Sequence, residues 1–260
     1  MYIDRYSIKA DAREHLRSAV PRPYYEGLLF LLVAGILTGL SMALMASKLT
    51  DAGVETYMKY VMAGMYEDAV RYLRTLTPPT ADYLISNVLD LLRSIVAVGL
   101  SIFAMNTLRQ KEASLGNLLD GFGRFFPLLI LLVLMRFLVS LWSYLLVIPG
   151  IIAFYRYRLA VYLLLDHPEL NPLQCILLSG QMMRGKKWEL FLLDLSFLGW
   201  ALLASLPLSF GAALGSLATL IVGALGSAAI LGWLLPYYEL SCVGFYEAVK
   251  TPIQSIPPEE

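Results

Sequence analysis

Charge is scarce in this sequence. Only 15% of its 260 residues are Asp, Glu, Lys or Arg, against about a quarter in soluble domains. The charges also balance, 20 basic against 20 acidic, so no basic excess points to a nucleic acid or another polyanion as partner. Cysteine is rarer still: Cys175 and Cys242 stand far apart, with no CxxC, which argues against a disulfide framework or a zinc site. Two histidines, His15 and His167, are too few for a His-based metal site, and no metal or cofactor is expected. The motifs that mark common enzyme classes are missing too: GxSxG, HExxH, a Walker loop, or GxGxxG opening a helix after a strand. Nor do the apolar segments carry the Ser–His or paired-Asp arrangement of an intramembrane protease. The protein is therefore not expected to be an enzyme.

Apolar residues are abundant instead. They make up 58% of the chain, and the mean hydropathy is +0.65. That much apolar surface calls for lipid as its solvent. The run 27–46 has no charge and, at about 1.5 Å per residue, matches the hydrocarbon core of about 30 Å. The polar segment before it is too long for a signal-peptide n-region, so it reads as a retained span. Further spans are expected over 88–108, 126–148, 151–165 (a short one), 190–206 and 230–249. The fold class is thus an all-α membrane protein: a six-helix transmembrane bundle, forming a single polytopic domain over 1–260. Between the last two spans, Gly211 and Gly215 form a GxxxG that permits close helix approach.

Three polar segments read as interfacial helices. Residues 8–18 place Ile8, Ala12, Leu16 and Ala19 among basic residues. Residues 54–76 have near-helical apolar spacing and end at Pro78–Pro79. In 171–184, Asn171 is the expected N-cap, Pro172 the first helical residue and Gly185 the stop. With the N-terminus inside, the inner segments carry Arg5, Lys9, Arg13, Arg17 and Arg22, then Arg109, Lys111 and Arg124. Arg184, Lys186, Lys187 and Lys250 complete that side, while Lys48, Lys59, Arg71 and Arg74 fall outside. The positive-inside rule then puts both termini in the cytoplasm. Cys175 and Cys242 would lie near the inner face, as native thiol reporters.

The polar residues within the spans carry the functional question. Arg136 sits near mid-span, Arg156 and Arg158 in the short fourth span, Asp194 about one turn into the fifth, and Glu239 in the sixth after a break at Pro236. A charge at the bilayer centre costs roughly 2.5–3.5 kcal/mol on insertion scales, so each needs a partner, water or the interface. In one reading they form a polar cavity for a lipid headgroup or small anion, as in a transporter or lipid-handling protein. In the other they are structural ion pairs and snorkelling arginines. The second is favoured, because carboxylate partners exist in about the needed number. On either reading Arg136 should face the bundle interior, with a carboxylate or polar cavity in reach. Asn87, Asp90 and Arg93 share a helix face but read as an interfacial helix start. The aromatics Tyr144, Tyr155, Tyr157, Tyr162, Trp188, Trp200, Trp233, Tyr237 and Tyr238 read as an interfacial belt. Asp166, His167 and Glu169 could ligate a cation but read as a solvated loop.

Several ordered motifs carry a family resemblance: IPGIIAFYRYRLAVYLLLDHPELNP (148–172), GQMMRGKKWELFLLDLSFLGW (180–200), PYYELSCVGFYEAV (236–249) and the opening SIKADAREHL (7–16). Together they resemble DUF975, a family of bacterial integral membrane proteins of unknown function, itself distantly like the membrane domain attached to some glycerophosphodiesterases. The resemblance implies six membrane helices in a bacterial cytoplasmic membrane, and no activity. Residues 206–229 depart from the family's usual shorter connection.

Overall fold

In lipid every backbone N–H and C=O must be bonded within its own segment, so long apolar runs fold as helices. A computed structural model of the protein describes residues 4–46, 51–76 and 80–250, and no strand occurs among the described residues. Six helical segments are long and apolar enough to cross a membrane. The chain divides into two compact units, Leu32–Ser94 and, formed together, Met1–Leu31 with Ile95–Glu260.

Helix α1 (Arg5–Ser18) starts at Asp4, whose carboxylate accepts the Tyr6 N–H at 2.9 Å. Its Ile8 and Ala12 are buried. Next come α2 (Pro23–Ala46), α3 (Asp51–Met62), α4 (Tyr66–Leu76) and α5 (Thr80–Leu108). The single helix expected over 54–76 is in fact two. Gly64 adopts φ +72°, its N–H bonds Val61 O at 3.1 Å, and the Met65 N–H bonds Tyr60 O at 3.0 Å. That pattern closes a helix at a glycine and satisfies its last carbonyls. Tyr60 and Tyr72 then meet across the turn, ring centroids 5.7 Å apart. The Pro78–Pro79 stop lies outside the described residues.

The short α6 (Asn117–Asp120) and a 3-10 turn lead into α7 (Phe125–Leu145). The expected short fourth span is broken in two, α8 (Val147–Tyr157) and α9 (Ala160–Asp166), with Arg158 at the break. Helix α10 (Pro172–Met182) has the expected start, a full capping box of Asn171 and Gln174 with Pro172 first in the helix. Gly185, at φ +73°, follows it.

The last two spans, α11 (Lys187–Ala213) and α12 (Leu217–Val249), are longer than expected over 190–206 and 230–249. They pair through a short turn in which the Ser216 hydroxyl accepts the Thr219 N–H at 3.1 Å. Gly211 does pack closely, but its counterpart is Gly223 on α12. A Cβ on Gly211 would meet Thr219 O at 2.4 Å, and one on Gly223 would meet Pro207 O at 2.3 Å. Gly215 serves the turn instead, at φ +71°. Pro207 stays inside α11, where Leu208 N–H donates to Ser227 Oγ of α12 at 3.0 Å. A neighbouring hydroxyl thus re-satisfies backbone disturbed by proline. Pro236 likewise does not break α12.

Candidate functional site

Arg158 owes its position to the α8–α9 break, which turns it towards α12. Its guanidinium donates to the Tyr238 hydroxyl and lies 3.8 Å from Cys242 Sγ. The rings of Phe154 and Tyr238 flank it at 5.3 and 5.6 Å. Tyr238 in turn donates to one Asp194 oxygen at 2.9 Å, and Tyr155 of α8 donates to the other at 2.9 Å. Arg158 and Asp194 are therefore joined through a tyrosine hydroxyl, and three elements meet at one carboxylate. Beside them Glu239 accepts from Tyr162 at 3.0 Å and from Ser101 of α5 at 3.2 Å.

A second network closes the ends of the same helices. Arg109, just past α5, forms a 2.7 Å ion pair with Asp166 and also pairs with Glu247 of α12. Lys250 and the Tyr246 hydroxyl, the latter at 3.0 Å, take the other Asp166 oxygen. Arg124, before α7, donates to the carbonyls of Leu164 and Leu165 at 3.2 and 3.3 Å. Tyr162 and Tyr246 stack at 5.5 Å and link the two networks. Burial opposes the charge on Arg109, but hydrogen bonds and attraction from Asp166 and Glu247 outweigh it and raise its pKa.

These contacts fix which helix ends share a side. The start of α7 touches the end of α9, so α7 and α8–α9 leave and return to one side. The end of α9 touches Lys250, so the α11–α12 pair returns to that side too. A cavity of about 420 Å³ beside the ends is lined by Arg109, Lys111, Asp120, Arg124 and Asp166, among others.

The five residues singled out from sequence do not form one cluster. Arg158, Asp194 and Glu239 come together, while Arg156 sits on α8, partly exposed, against α10. Its backbone carbonyl accepts the Ser179 hydroxyl at 2.8 Å. Arg136 is not in the interior: it is exposed, and the partners of Asp194 are Tyr155 and Tyr238. The helical repeat explains this. Leu128, Leu131, Met135 and Leu138 make the inward stripe of α7, and Arg136 falls with Val133, Phe137 and Ser140 on the exposed face. Asp166 is likewise no solvated loop residue, its side chain being 12% exposed. Among the described residues no group of His, Cys, Asp and Glu could hold a metal. Cys175 and Cys242 are both buried and so report poorly on sidedness. Burial pushes the Cys175 thiol up to about 11.

Reading Tyr155, Tyr162 and Tyr238 as belt residues missed their role. The signal lay in YRYR (155–158) and PYYE (236–239), where tyrosines adjoin charges deep in apolar sequence. Most of both networks lies in a segment that matches a known family model, residues 144–252. The family is DUF975. Its description is a protein of unknown function, and the opening 7–16 falls outside the match. Neither a curated protein nor a solved structure matches the chain.

Proposed function

We propose that this protein is a non-enzymatic, multi-pass protein of the bacterial cytoplasmic membrane that acts through helix packing and contact with lipid or partner proteins. The supporting observation is that the polar groups around Asp194 are spent on one another. Both Asp194 oxygens accept tyrosine hydroxyls, and Arg158 donates to one of those same tyrosines. A carboxylate held this way ties α8, α11 and α12 together in a medium that offers no competing water. Similarity to DUF975 brings no activity with it. The charge asymmetry supports cytoplasmic termini, and Arg109, Arg124 and Lys250 gather on one side as the positive-inside rule expects. Arg136, exposed near mid-span where either reading requires it to face inward, lends this proposal no support.

The alternative, a transporter or an anion- or lipid-binding protein built on the intramembrane arginines, is favoured by one observation. Arg156 Nε is buried and has no hydrogen-bond partner among the described residues. Thermal unfolding of purified Arg156→Gln, Asp194→Ala and wild-type protein, with and without inorganic phosphate, separates the readings. The packing role predicts that Asp194→Ala lowers the midpoint and that any phosphate effect is the same in all three. A phosphate-induced rise in wild type that Arg156→Gln abolishes would establish the alternative.

A further inference from the structure

Away from both networks, the polar face of α1 closes over α11 and α12 around a cavity of about 320 Å³, large enough for a small-molecule site. One wall is cationic, with Arg5, Lys9 and Arg13, and the other is aromatic, with Trp200, Trp233 and Tyr237. Lys9 Nζ donates to Ser196 Oγ at 3.0 Å and sits 4.4 Å above the Phe197 ring, so its head is held in place. Arg13 Nε donates to Lys9 O at 3.2 Å, and Arg13 lines the cavity beside Lys9. A single carboxylate answers the three cations: Glu189 lies 3.6 Å from Arg5, and no carboxylate is within ion-pair distance of Lys9 or Arg13 among the described residues. Burial, and then neighbouring Arg13, hold the Lys9 pKa below its ordinary value. A bound anion would relieve that repulsion. Trp200 and Trp233 meet edge to face at 6.0 Å, and Leu192 extends the apolar side. A cationic head beside an indole wall suits a ligand with an anionic end and an apolar body.

We propose that this cavity binds a phosphate group held by Lys9 and Arg13, carried on an acidic phospholipid whose chains run along Trp200 and Trp233. The site rests on none of Arg158, Asp194 and Glu239, so it stands or falls separately from the packing role. The test uses purified protein in neutral detergent, with Trp142 and Trp188, which do not line the cavity, replaced by Phe so that the fluorescence comes from Trp200 and Trp233. Phosphatidylglycerol with brominated chains is titrated in, and inorganic phosphate serves as competitor. Saturable quenching is expected, with Lys9→Gln/Arg13→Gln weakening it about 30-fold, the equivalent of about 1 kcal/mol per cation removed. Lys9→Arg/Arg13→Lys should retain binding. An unchanged unfolding midpoint without lipid shows that a variant is folded. Quenching that phosphate does not displace identifies lipid as the carrier. Displacement by phosphate keeps the site but makes a soluble phosphate compound its ligand. Unsaturable quenching, or equal affinity in the folded double Gln variant, overturns the proposal.

Discussion

Replacing Tyr238 by Phe removes one hydroxyl and two contacts, because that oxygen accepts from Arg158 and donates to Asp194. A hydrogen bond to a charged group contributes about 1.5–3 kcal/mol in soluble proteins. Side-chain bonds between membrane helices measure less, about 0.6 kcal/mol on average and about 1.7 at most. Asp194 and Tyr238 are partly buried, so the lower range applies and the two contacts together are worth about 2 kcal/mol. A chain of this size loses roughly 2–4 °C of midpoint per kcal/mol, so Tyr238→Phe should unfold about 6 °C earlier. Asp194→Ala strands the hydroxyls of both Tyr155 and Tyr238 and should cost at least as much. The double variant should fall short of the sum by about 1 kcal/mol, because the two changes remove a shared contact. The measurement is reversible unfolding of purified protein in mixed micelles, followed by helical circular dichroism. Tyr238→Phe within about 0.3 kcal/mol of wild type, or strictly additive variants, would refute the reasoning.

Sidedness can be read with single cysteines at exposed positions, since the native pair is buried: with cytoplasmic termini, Glu67→Cys should react with an impermeant thiol reagent in intact cells and Glu169→Cys only after lysis. The reverse pattern would invert the topology. Ser227→Ala should cost about 1 kcal/mol by orphaning the Leu208 N–H, and thermal unfolding should show that cost vanish in a Pro207→Ala background. For Cys175, the folded pKa of about 11 exceeds the unfolded 9.0. Its contribution to stability is thus complete below pH 9 and is lost as pH rises towards 11, because the unfolded chain gives up the proton first. Unfolding midpoints taken across that window should fall more steeply for wild type than for Cys175→Ala.

The long apolar runs were legible because length and lack of charge decide a span without reference to neighbours. The caps of α10 were legible for a similar reason, since Asn171, Pro172 and Gln174 act within one turn. The split of α3 from α4 was also local, and Gly64 was its sign; apolar spacing alone ran through it. The site was harder, because whether Arg136 faces inward depends on where the apolar stripe of α7 lies relative to partners absent from the sequence pattern. Tyrosine as a partner for Asp194 and Glu239 was hidden by its frequency at membrane interfaces. Asp166 looked solvated because its partners, Arg109 and Lys250, are remote in the chain.

A cryo-EM map of the protein in lipid nanodiscs tests the packing role most directly. The account predicts the Arg158 guanidinium on the Tyr238 hydroxyl, Asp194 between Tyr155 and Tyr238, and no non-protein density among them. Arg158 turned away from Tyr238 onto a bound anion, with Asp194 lining an open aqueous cavity, would contradict it.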